Sequence, residues 1–317
     1  MTPVYQAQRQ SQSHYFSVRG RQYHVRTWGE PKPHEAPWVM LHGWMDVGAS
    51  FQFVVDELKG EPFVVAPDWR GFGLTQDEHH DHFTFPDYLC DLDCLLDHLQ
   101  AQSDHTHFNL IGHSMGGNVA TLYAGLRGER IHKLVNLEGF GLPPSHPAMA
   151  PERLRRWMKD VKSVGEGALA LKTYASVQEV AQRLIKTNAR LPLDKALWLA
   201  EHWAQPHALG RWSILGSAAH KVVSAHLYQV DEVLSILRCI TAPTLCVHTQ
   251  ERALFKKWGA MYTFEDYLQR MSAIEGVQHL EIAHASHMLH HDQPRMLASM
   301  LTQFLSDPST CAMEMTA

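Results

Sequence analysis

One serine lies in a sequence context that predicts chemistry. Residues 112–117 read Gly-His-Ser-Met-Gly-Gly, which places Ser114 in a Gly-x-Ser-x-Gly pattern between an apolar run at 108–111 and a helix-compatible segment at 118–124. A serine at a sharp strand-to-helix turn sits in strained backbone, and small neighbours let other chain segments pass close to it. The pattern therefore predicts a nucleophilic serine at such a turn. The alternative is a serine in an ordinary glycine-rich turn.

A serine hydroxyl needs a base to accept its proton, and a histidine-rich segment near the end of the chain offers one. Residues 283–294 read Ala-His-Ala-Ser-His-Met-Leu-His-His-Asp-Gln-Pro and separate the last predicted strand from the last predicted helix. His284 is still next to the strand, whereas His290 and His291 lead into the helix and are expected to face solvent. We therefore predict that His287 is the base.

The carboxylate that orients this histidine has two candidates. Glu138 directly follows the predicted strand 133–137, and a carboxylate buried there would need a partner such as His287. Glu251 is the only carboxylate within a few residues of the end of the strand predicted at 243–247. We favour Glu138 and keep Glu251 as the alternative acid. Without catalysis, Glu138 would be a capping or salt-bridged residue and Glu251 a solvated loop residue.

The composition of the chain excludes several classes of protein. The chain has 317 residues, of which 45% are apolar and 19% charged, so it is expected to be globular. A net charge of -5 gives no sign of the basic surface that binds nucleic acid. The longest apolar runs have only the length of a strand, so no membrane-spanning segment is predicted. The start of the sequence lacks the pattern of a signal peptide, and the 5 cysteines are an odd number without framework spacing. We expect a cytoplasmic monomer or homodimer.

The 23 histidines raise the question of a metal, chiefly at 77–82, which reads Asp-Glu-His-His-Asp-His. A structural zinc site needs about four converging ligands of fixed geometry. This run lies in a polar linker without helical or strand spacing. We therefore predict a solvated loop there, and neither a metal nor a cofactor for the protein.

Strand patterns and helical patterns alternate along the chain. Continuous apolar runs at 38–41 and 63–66 predict strands covered on both faces, and further strands are predicted at 108–111, 133–137, 243–247 and 279–282. The segments 15–18 and 22–28 predict a hairpin around Gly20. A crossover helix is predicted at 49–58. This order predicts an α/β fold with a doubly wound, mostly parallel sheet, whose functional residues lie at the carboxyl ends of the strands.

The alternation stops in the middle of the chain. Between 143 and 228 no run is a convincing strand, and three helical stripes follow one another. We predict a core at 14–142 and 229–306, an inserted helical cap at 143–228 that serves as a lid, and flexible termini at 1–13 and 307–317.

With these motifs in this order, the sequence resembles the α/β-hydrolase superfamily. Besides 112–117, the turns Leu-His-Gly-Trp at 41–44 and Pro-Asp-Trp-Arg-Gly-Phe-Gly at 67–73 match it, and the segment around His287 matches with Ser286 in place of the usual glycine. The cap at 179–203 is similar to proteins called serine hydrolase-like. The segment after Glu138 is similar to that of the haloalkane dehalogenases. In the 67–73 turn, Asp68 and Arg70 are expected to be structural, with an ion pair that holds loops.

Placement and resemblance together imply that the backbone N–H groups of Trp44 and Met115 bind the oxyanion. They also imply a serine hydrolase that cleaves a carboxylic ester or related acyl bond of a small, largely apolar substrate through an acyl-enzyme. A carbon–carbon or thioester hydrolase with the same triad, a cofactor-free perhydrolase and a non-catalytic ligand-binding relative are the alternatives. Apolar residues proposed for the substrate pocket are Met45, Phe140, Trp157, Trp198 and Met288.

Overall fold

The computed structural model describes residues 4–76, 80–103, 105–207 and 210–306, and a central eight-stranded sheet organises them. Its strands, in their order across the sheet, are β1 (Gln12–Val18), β2 (Arg21–Trp28), β4 (Val64–Pro67), β3 (Trp38–Leu41), β5 (Phe108–His113), β6 (Ile131–Leu137), β10 (Thr244–Thr249) and β11 (Gln278–Ile282). The pairs from β4 to β11 are parallel, and β1, β2 and β4 are joined by antiparallel pairs.

Helices follow most of the strands, as the alternating pattern predicts. The segment predicted as one crossover helix at 49–58 is a 3₁₀ turn at Gly48–Phe51 followed by a short α-helix. The helices are α1 (Gln52–Val55), α2 (Phe85–Gln102), α3 (Met115–Leu126), α4 (Ala150–Gly165), α5 (Val177–Thr187), α6 (Leu193–Trp203), α7 (Val230–Leu237), α8 (Ala253–Trp258), α9 (Phe264–Met271), α10 (Leu289–Asp292) and α11 (Pro294–Ser306).

Helices cover both faces of the sheet. Along β3, Val39 and Leu41 belong to the apolar cluster that contains buried residues of α2 and α3. Trp38 and Met40 belong to the cluster formed with α1 and α11. Because successive side chains of a strand point to opposite faces, this alternation means that each face carries its own core. The doubly wound α/β fold predicted from the sequence is confirmed.

The segment between β6 and α7 contains strands that the sequence did not predict. Short antiparallel strands β7 (Thr173–Tyr174), β8 (Ala204–Pro206) and β9 (Trp212–Ile214) form a three-stranded sheet beside α4, α5 and α6. The expectation of helices alone is therefore wrong for this segment. Phe53 of α1 packs in one apolar cluster with residues of α5 and α6. This cluster joins the segment between β6 and α7, called the inserted segment below, to the core.

The turn at 67–73 holds loops through two separate contacts rather than one ion pair. The carboxylate of Asp68 accepts hydrogen bonds from His24 Nδ1 at 2.8 Å and from the backbone N–H of Gly48 at 2.7 Å. Arg70 is fully buried and pairs with Asp91 of α2. The structural role predicted for both residues fits these contacts, but the expected pairing of Asp68 with Arg70 is wrong because each faces a different neighbour.

Among the described residues, no helix combines the length and the apolar character needed to cross a membrane.

Buried histidines make the fold sensitive to acid. Burial, reinforced by His279, lowers the pKa of His248 to about 4 from 6.5. The unfolded chain therefore takes up this proton at a higher pH than the folded chain, so the free energy of unfolding falls as the pH drops from about 6.5 to about 4. For His248 alone we expect a loss of about 2 kcal/mol between pH 7 and pH 4.5, at about 1.4 kcal/mol per pKa unit.

Urea unfolding of the parent and of His248→Gln at these two pH values measures this contribution. The variant should lose about 2 kcal/mol less than the parent over the interval. His107→Gln, at an exposed loop position, is the matched control and should keep the parent's pH dependence. Equal pH dependence in His248→Gln and the parent would show that this proton does not control acid stability.

Candidate active site

Strained backbone is concentrated at the carboxyl edge of the sheet. A non-glycine residue has positive φ after each of the strands β3, β5, β6, β10 and β11, with values between 48° and 57°. Such conformations cost free energy and persist where the surrounding structure enforces them, often at functional sites. The residues are Met45, Ser114, Glu138, Arg252 and His284.

Ser114 sits between the end of β5 and the start of α3, with φ 52° and ψ -114°. Glycines make this turn feasible. A Cβ atom at Gly116 would lie 2.2 Å from the carbonyl oxygen of Leu41, and one at Gly112 would lie 2.3 Å from that of Gly116. No side chain fits at these distances, so the spacing of the motif follows from backbone packing around the serine.

Three side chains from separate loops form a hydrogen-bonded chain at this edge. His287 Nε2 lies 2.9 Å from Ser114 Oγ, and its Nδ1 lies 3.1 Å from Glu138 Oε2. Since the carboxylate can only accept, Nδ1 carries the proton and Nε2 accepts from the serine hydroxyl. The Glu138 side chain is only 2% exposed, whereas that of His287 is 27% exposed. The buried carboxylate thus orients a ring whose other end is reachable from solvent.

The carboxylate of Glu138 is itself held in place. Its Oε1 accepts a 2.6 Å hydrogen bond from the backbone N–H of Thr249 at the end of β10. Asn136 brackets the turn, because its side chain accepts from the N–H of Gly139 at 2.7 Å and donates to the carbonyl of Gly139 at 2.9 Å. The sequence analysis did not single out Asn136, since an asparagine inside an apolar strand gives no sign of the turn it holds.

The alternative acid, Glu251, lies elsewhere. Its carboxylate pairs with Arg190, in the loop between α5 and α6 of the inserted segment, and its side chain is 39% exposed. The same loop contributes Asn188, which donates a 2.8 Å hydrogen bond to Asp292 Oδ1. Glu251 therefore joins the inserted segment to the core, and the structure brings Glu138, not Glu251, to His287.

The turn after β3 runs beside the serine. A Cβ atom at Gly43 would lie 3.2 Å from the Cβ of Ser114, so the backbone leading to Trp44 passes next to the candidate nucleophile. Met115 is the first residue of α3, where a backbone N–H has no partner within the helix. The indole of Trp44 donates to the carbonyl of His220 at 3.2 Å, and its side chain stays largely exposed. Met115 thus adjoins Ser114 in the sequence, and the residue before Trp44 lies next to Ser114 in space.

The proposed pocket residues fall into two groups. Met45 and Met288 follow the turns that carry Trp44 and His287, and both are half-buried. Phe140 is buried against Phe255 at a ring-centroid distance of 4.5 Å and therefore packs in the core. Two tryptophans of the inserted segment also have packing partners: Trp198 packs against Tyr5 and Phe53, and Trp157 lies edge-on to His82.

A cavity of about 850 Å³ lies away from these residues. Its walls come from segments that precede β3, β5, β6 and β10, including His34, His105 and Thr241. These residues mark the amino edge of the sheet, opposite Ser114. The cavity therefore does not contribute to the candidate active site.

A buried cluster lies directly behind the candidate triad. His290 and His291 of α10 are 0% and 4% exposed, so the expectation that they face solvent is wrong. Ser50 Oγ lies 3.1 Å from Nε2 of His290 and 2.5 Å from Nε2 of His291, and Asp46 Oδ2 lies 3.6 Å from Nε2 of His290. Their partners come from a segment about 240 positions earlier in the chain, which the sequence could not reveal.

Asp46, His290 and His291 offer three possible metal-ligand atoms within 4.8 Å of one another. The Ser50 hydroxyl, however, already occupies the space between the two Nε2 atoms at hydrogen-bond distances. Burial raises the pKa of Asp46, but the hydrogen bond and charge of His290 outweigh it and lower the pKa overall. We therefore describe the group as a hydrogen-bonded cluster.

The histidine run at 77–82 can be described only in part, because residues 77–79 lie outside the described ranges. Arg21 contacts His80, and Asp81 contacts His82 at 2.7 Å.

A family model for the alpha/beta hydrolase fold matches residues 37–294. The chain belongs to the α/β-hydrolase family. The match spans most of the sequence and includes Ser114, Glu138 and His287.

Among curated relatives, this α/β-hydrolase is similar to a serine hydrolase-like protein of Danio rerio, with 24% identity over 90% of this chain and 85% of the relative. A 2-hydroxy-6-oxo-2,4-heptadienoate hydrolase of Pseudomonas putida is 30% identical over 33% of this chain and 38% of its own length. Family membership and these relatives support a hydrolase.

Solved structures share the fold. The thioesterase domain from the curacin biosynthetic pathway has a TM-score of 0.76 at 22% identity, covering 92% of this chain and 99% of that domain. Naproxen esterase from Bacillus subtilis has a TM-score of 0.62 at 19% identity, covering 94% of this chain and 92% of that esterase. At this identity the likeness concerns the fold alone.

Proposed function

We propose that the protein is a serine hydrolase that cleaves carboxylic esters of small, largely apolar acids through an acyl-enzyme. The observation that carries the proposal is the hydrogen-bonded chain from Ser114 through His287 to Glu138 at the carboxyl edge of the sheet. Its order and polarity are those that serine acyl transfer requires, with a nucleophile, a base and a buried acid.

In the first half-reaction, Ser114 Oγ attacks the ester carbonyl while His287 Nε2 accepts the hydroxyl proton. The Glu138 carboxylate stabilises the positive imidazolium that forms. Backbone N–H groups of Trp44 and Met115 donate to the oxyanion, and each such donor contributes about 3 kcal/mol to the transition state. His287 then gives its proton to the departing alcohol, which leaves the acyl group on Ser114.

In the second half-reaction, water attacks the acyl-enzyme. His287 takes a proton from this water and returns one to Ser114 Oγ, which releases the acid and restores the starting state. The exposed fraction of His287 is consistent with water reaching its Nε2. Both steps use only side chains, backbone groups and water.

The residues that follow the catalytic positions favour an apolar substrate. Trp44 and Met115 carry the proposed oxyanion donors, Met288 follows His287, and all three side chains are uncharged and at least partly exposed. Apolar walls with few polar groups are typical of sites for small apolar ligands. We therefore propose an alkyl or aryl acyl group rather than a highly charged one.

Hydrolysis of a panel of p-nitrophenyl esters with short and long acyl chains, beside matched acyl thioesters, tests this function. We expect turnover of the esters by the parent and an acyl adduct on the peptide containing Ser114 after acid quenching. Faster turnover of the thioesters at equal acyl length would favour the thioester alternative. A folded parent that turns over none of these substrates would contradict the proposed function.

A further inference from the structure

One buried side chain contacts two parts of the proposed machinery at once. His113 is 2% exposed and directly precedes Ser114. Its Nε2 lies 2.7 Å from the backbone carbonyl oxygen of His287. On the other side of the ring, a Cβ atom at Gly43 would lie 3.0 Å from Nδ1 of His113. The turn at 42–44, which carries the proposed oxyanion donor Trp44 and is called the oxyanion turn below, therefore contacts the same imidazole.

The hydrogen bond fixes the protonation of this ring. A carbonyl oxygen only accepts, so Nε2 of His113 carries the proton. Burial, reinforced by His290 and His287, lowers the pKa of His113 well below 6.5, so the ring is neutral at pH 7. Its Nδ1 is therefore unprotonated, and it is buried without a hydrogen-bond partner. A neutral Nε2–H donor beside an imidazole that must itself become positive avoids repulsion between two charges.

The cluster behind the triad sets the position of the ring. His113 packs against His290 at a ring-centroid distance of 4.3 Å, and His290 contacts Ser50 and Asp46. The His287 loop has a second support, because Ser286 donates to Asp292 through its backbone N–H at 2.7 Å and its hydroxyl at 2.8 Å. The bond from His113 therefore adds a backbone contact next to Ser114 to the contacts that the His287 side chain makes there.

We propose that His113 is a positioning residue that holds the backbone of the catalytic histidine and the oxyanion turn at their working separation from Ser114. This inference rests on the proposed function, and it assigns a role to a residue that touches none of the reacting atoms. Displacement of a catalytic group by about 1 Å can cost about 10²-fold in rate. Loss of the Nε2–H donor should therefore reduce kcat without weakening substrate binding.

Two substitutions separate positioning from simple packing. His113→Leu removes the donor and retains an apolar side chain, and we expect kcat to fall about 10- to 100-fold with KM within about threefold of the parent. His113→Gln keeps an N–H donor with similar reach and should retain kcat within about threefold. Leu301→Ala, at a buried position of α11, is a control that lowers the melting temperature and should leave kcat unchanged.

Amide hydrogen exchange in the loop at 284–289 provides a readout that does not require activity. We expect exchange to be about tenfold faster in His113→Leu and unchanged in His113→Gln and Leu301→Ala. If His113→Leu does not fold, His113→Asn replaces it, because its amide is too short to reach the carbonyl. Unchanged exchange and kcat in the donor-less variant, or equal damage in His113→Gln, would overturn the inference. If the parent hydrolyses no ester, the proposed function fails. Amide hydrogen exchange in the loop at 284–289 then tests by itself whether His113 positions that loop.

Discussion

Replacing Ser114 with alanine is expected to lower kcat/KM for ester hydrolysis by about 10⁶-fold, to the residual rate supplied by oxyanion stabilisation and binding. The expectation follows from the 2.9 Å contact between Ser114 Oγ and His287 Nε2, which places the hydroxyl proton next to its acceptor. Steady-state kinetics with the best ester of the panel measure the effect.

Ser272→Ala is the matched control for this change, since Ser272 is exposed and its hydroxyl donates to the carbonyl of Gln269 at the end of α9. It should retain the parent's kinetics. Circular dichroism and the melting temperature show whether each variant is folded. A folded Ser114→Ala that keeps more than about one hundredth of the parent's rate would mean that another group performs the attack.

The second large effect concerns the acid. Glu138→Gln is expected to lower kcat by about 10³- to 10⁴-fold, because an amide in place of the carboxylate favours the wrong tautomer of His287 and does not stabilise the imidazolium. Glu251→Gln should keep kcat within about threefold, since Glu251 pairs with Arg190 instead. The two variants carry the same chemical change, so each is the control for the other.

A melting temperature for both variants separates catalysis from stability. Glu251→Gln weakens an exposed ion pair, and such pairs contribute little to the free energy of unfolding, so we expect the melting temperature to change little. Loss of turnover in Glu251→Gln with retention in Glu138→Gln would reverse the assignment of the acid. Retention in both would remove the carboxylate from the proposed mechanism.

The inner strands of the sheet could be predicted well because they are buried on both faces. Continuous apolar runs such as 38–41 and 63–66 indicate strands irrespective of what packs on them, and β3 (Trp38–Leu41) has the predicted bounds. The candidate nucleophile could be located for a similar reason, since Gly112 and Gly116 are required by backbone contacts within the turn itself. Features determined by local sequence were therefore accessible.

Features that depend on residues far away in the sequence could not be predicted from it. The strands β7, β8 and β9 have two or three residues each, too few for a period to appear. The burial of His290 depends on Asp46 and Ser50, and no local pattern distinguishes a buried histidine pair from a solvated one. The choice between Glu138 and Glu251 stayed open in the sequence because both follow strands. In the structure Glu138 contacts His287, whereas Glu251 pairs with Arg190.

The most direct test of the central claim is mass-spectrometric mapping of a fluorophosphonate adduct on the folded parent. We predict one adduct, on the peptide that contains Ser114, which forms much more slowly in His287→Ala because the hydroxyl then lacks the base that accepts its proton. No adduct on the parent, or an adduct on a different serine, would contradict the assignment of Ser114 as the nucleophile.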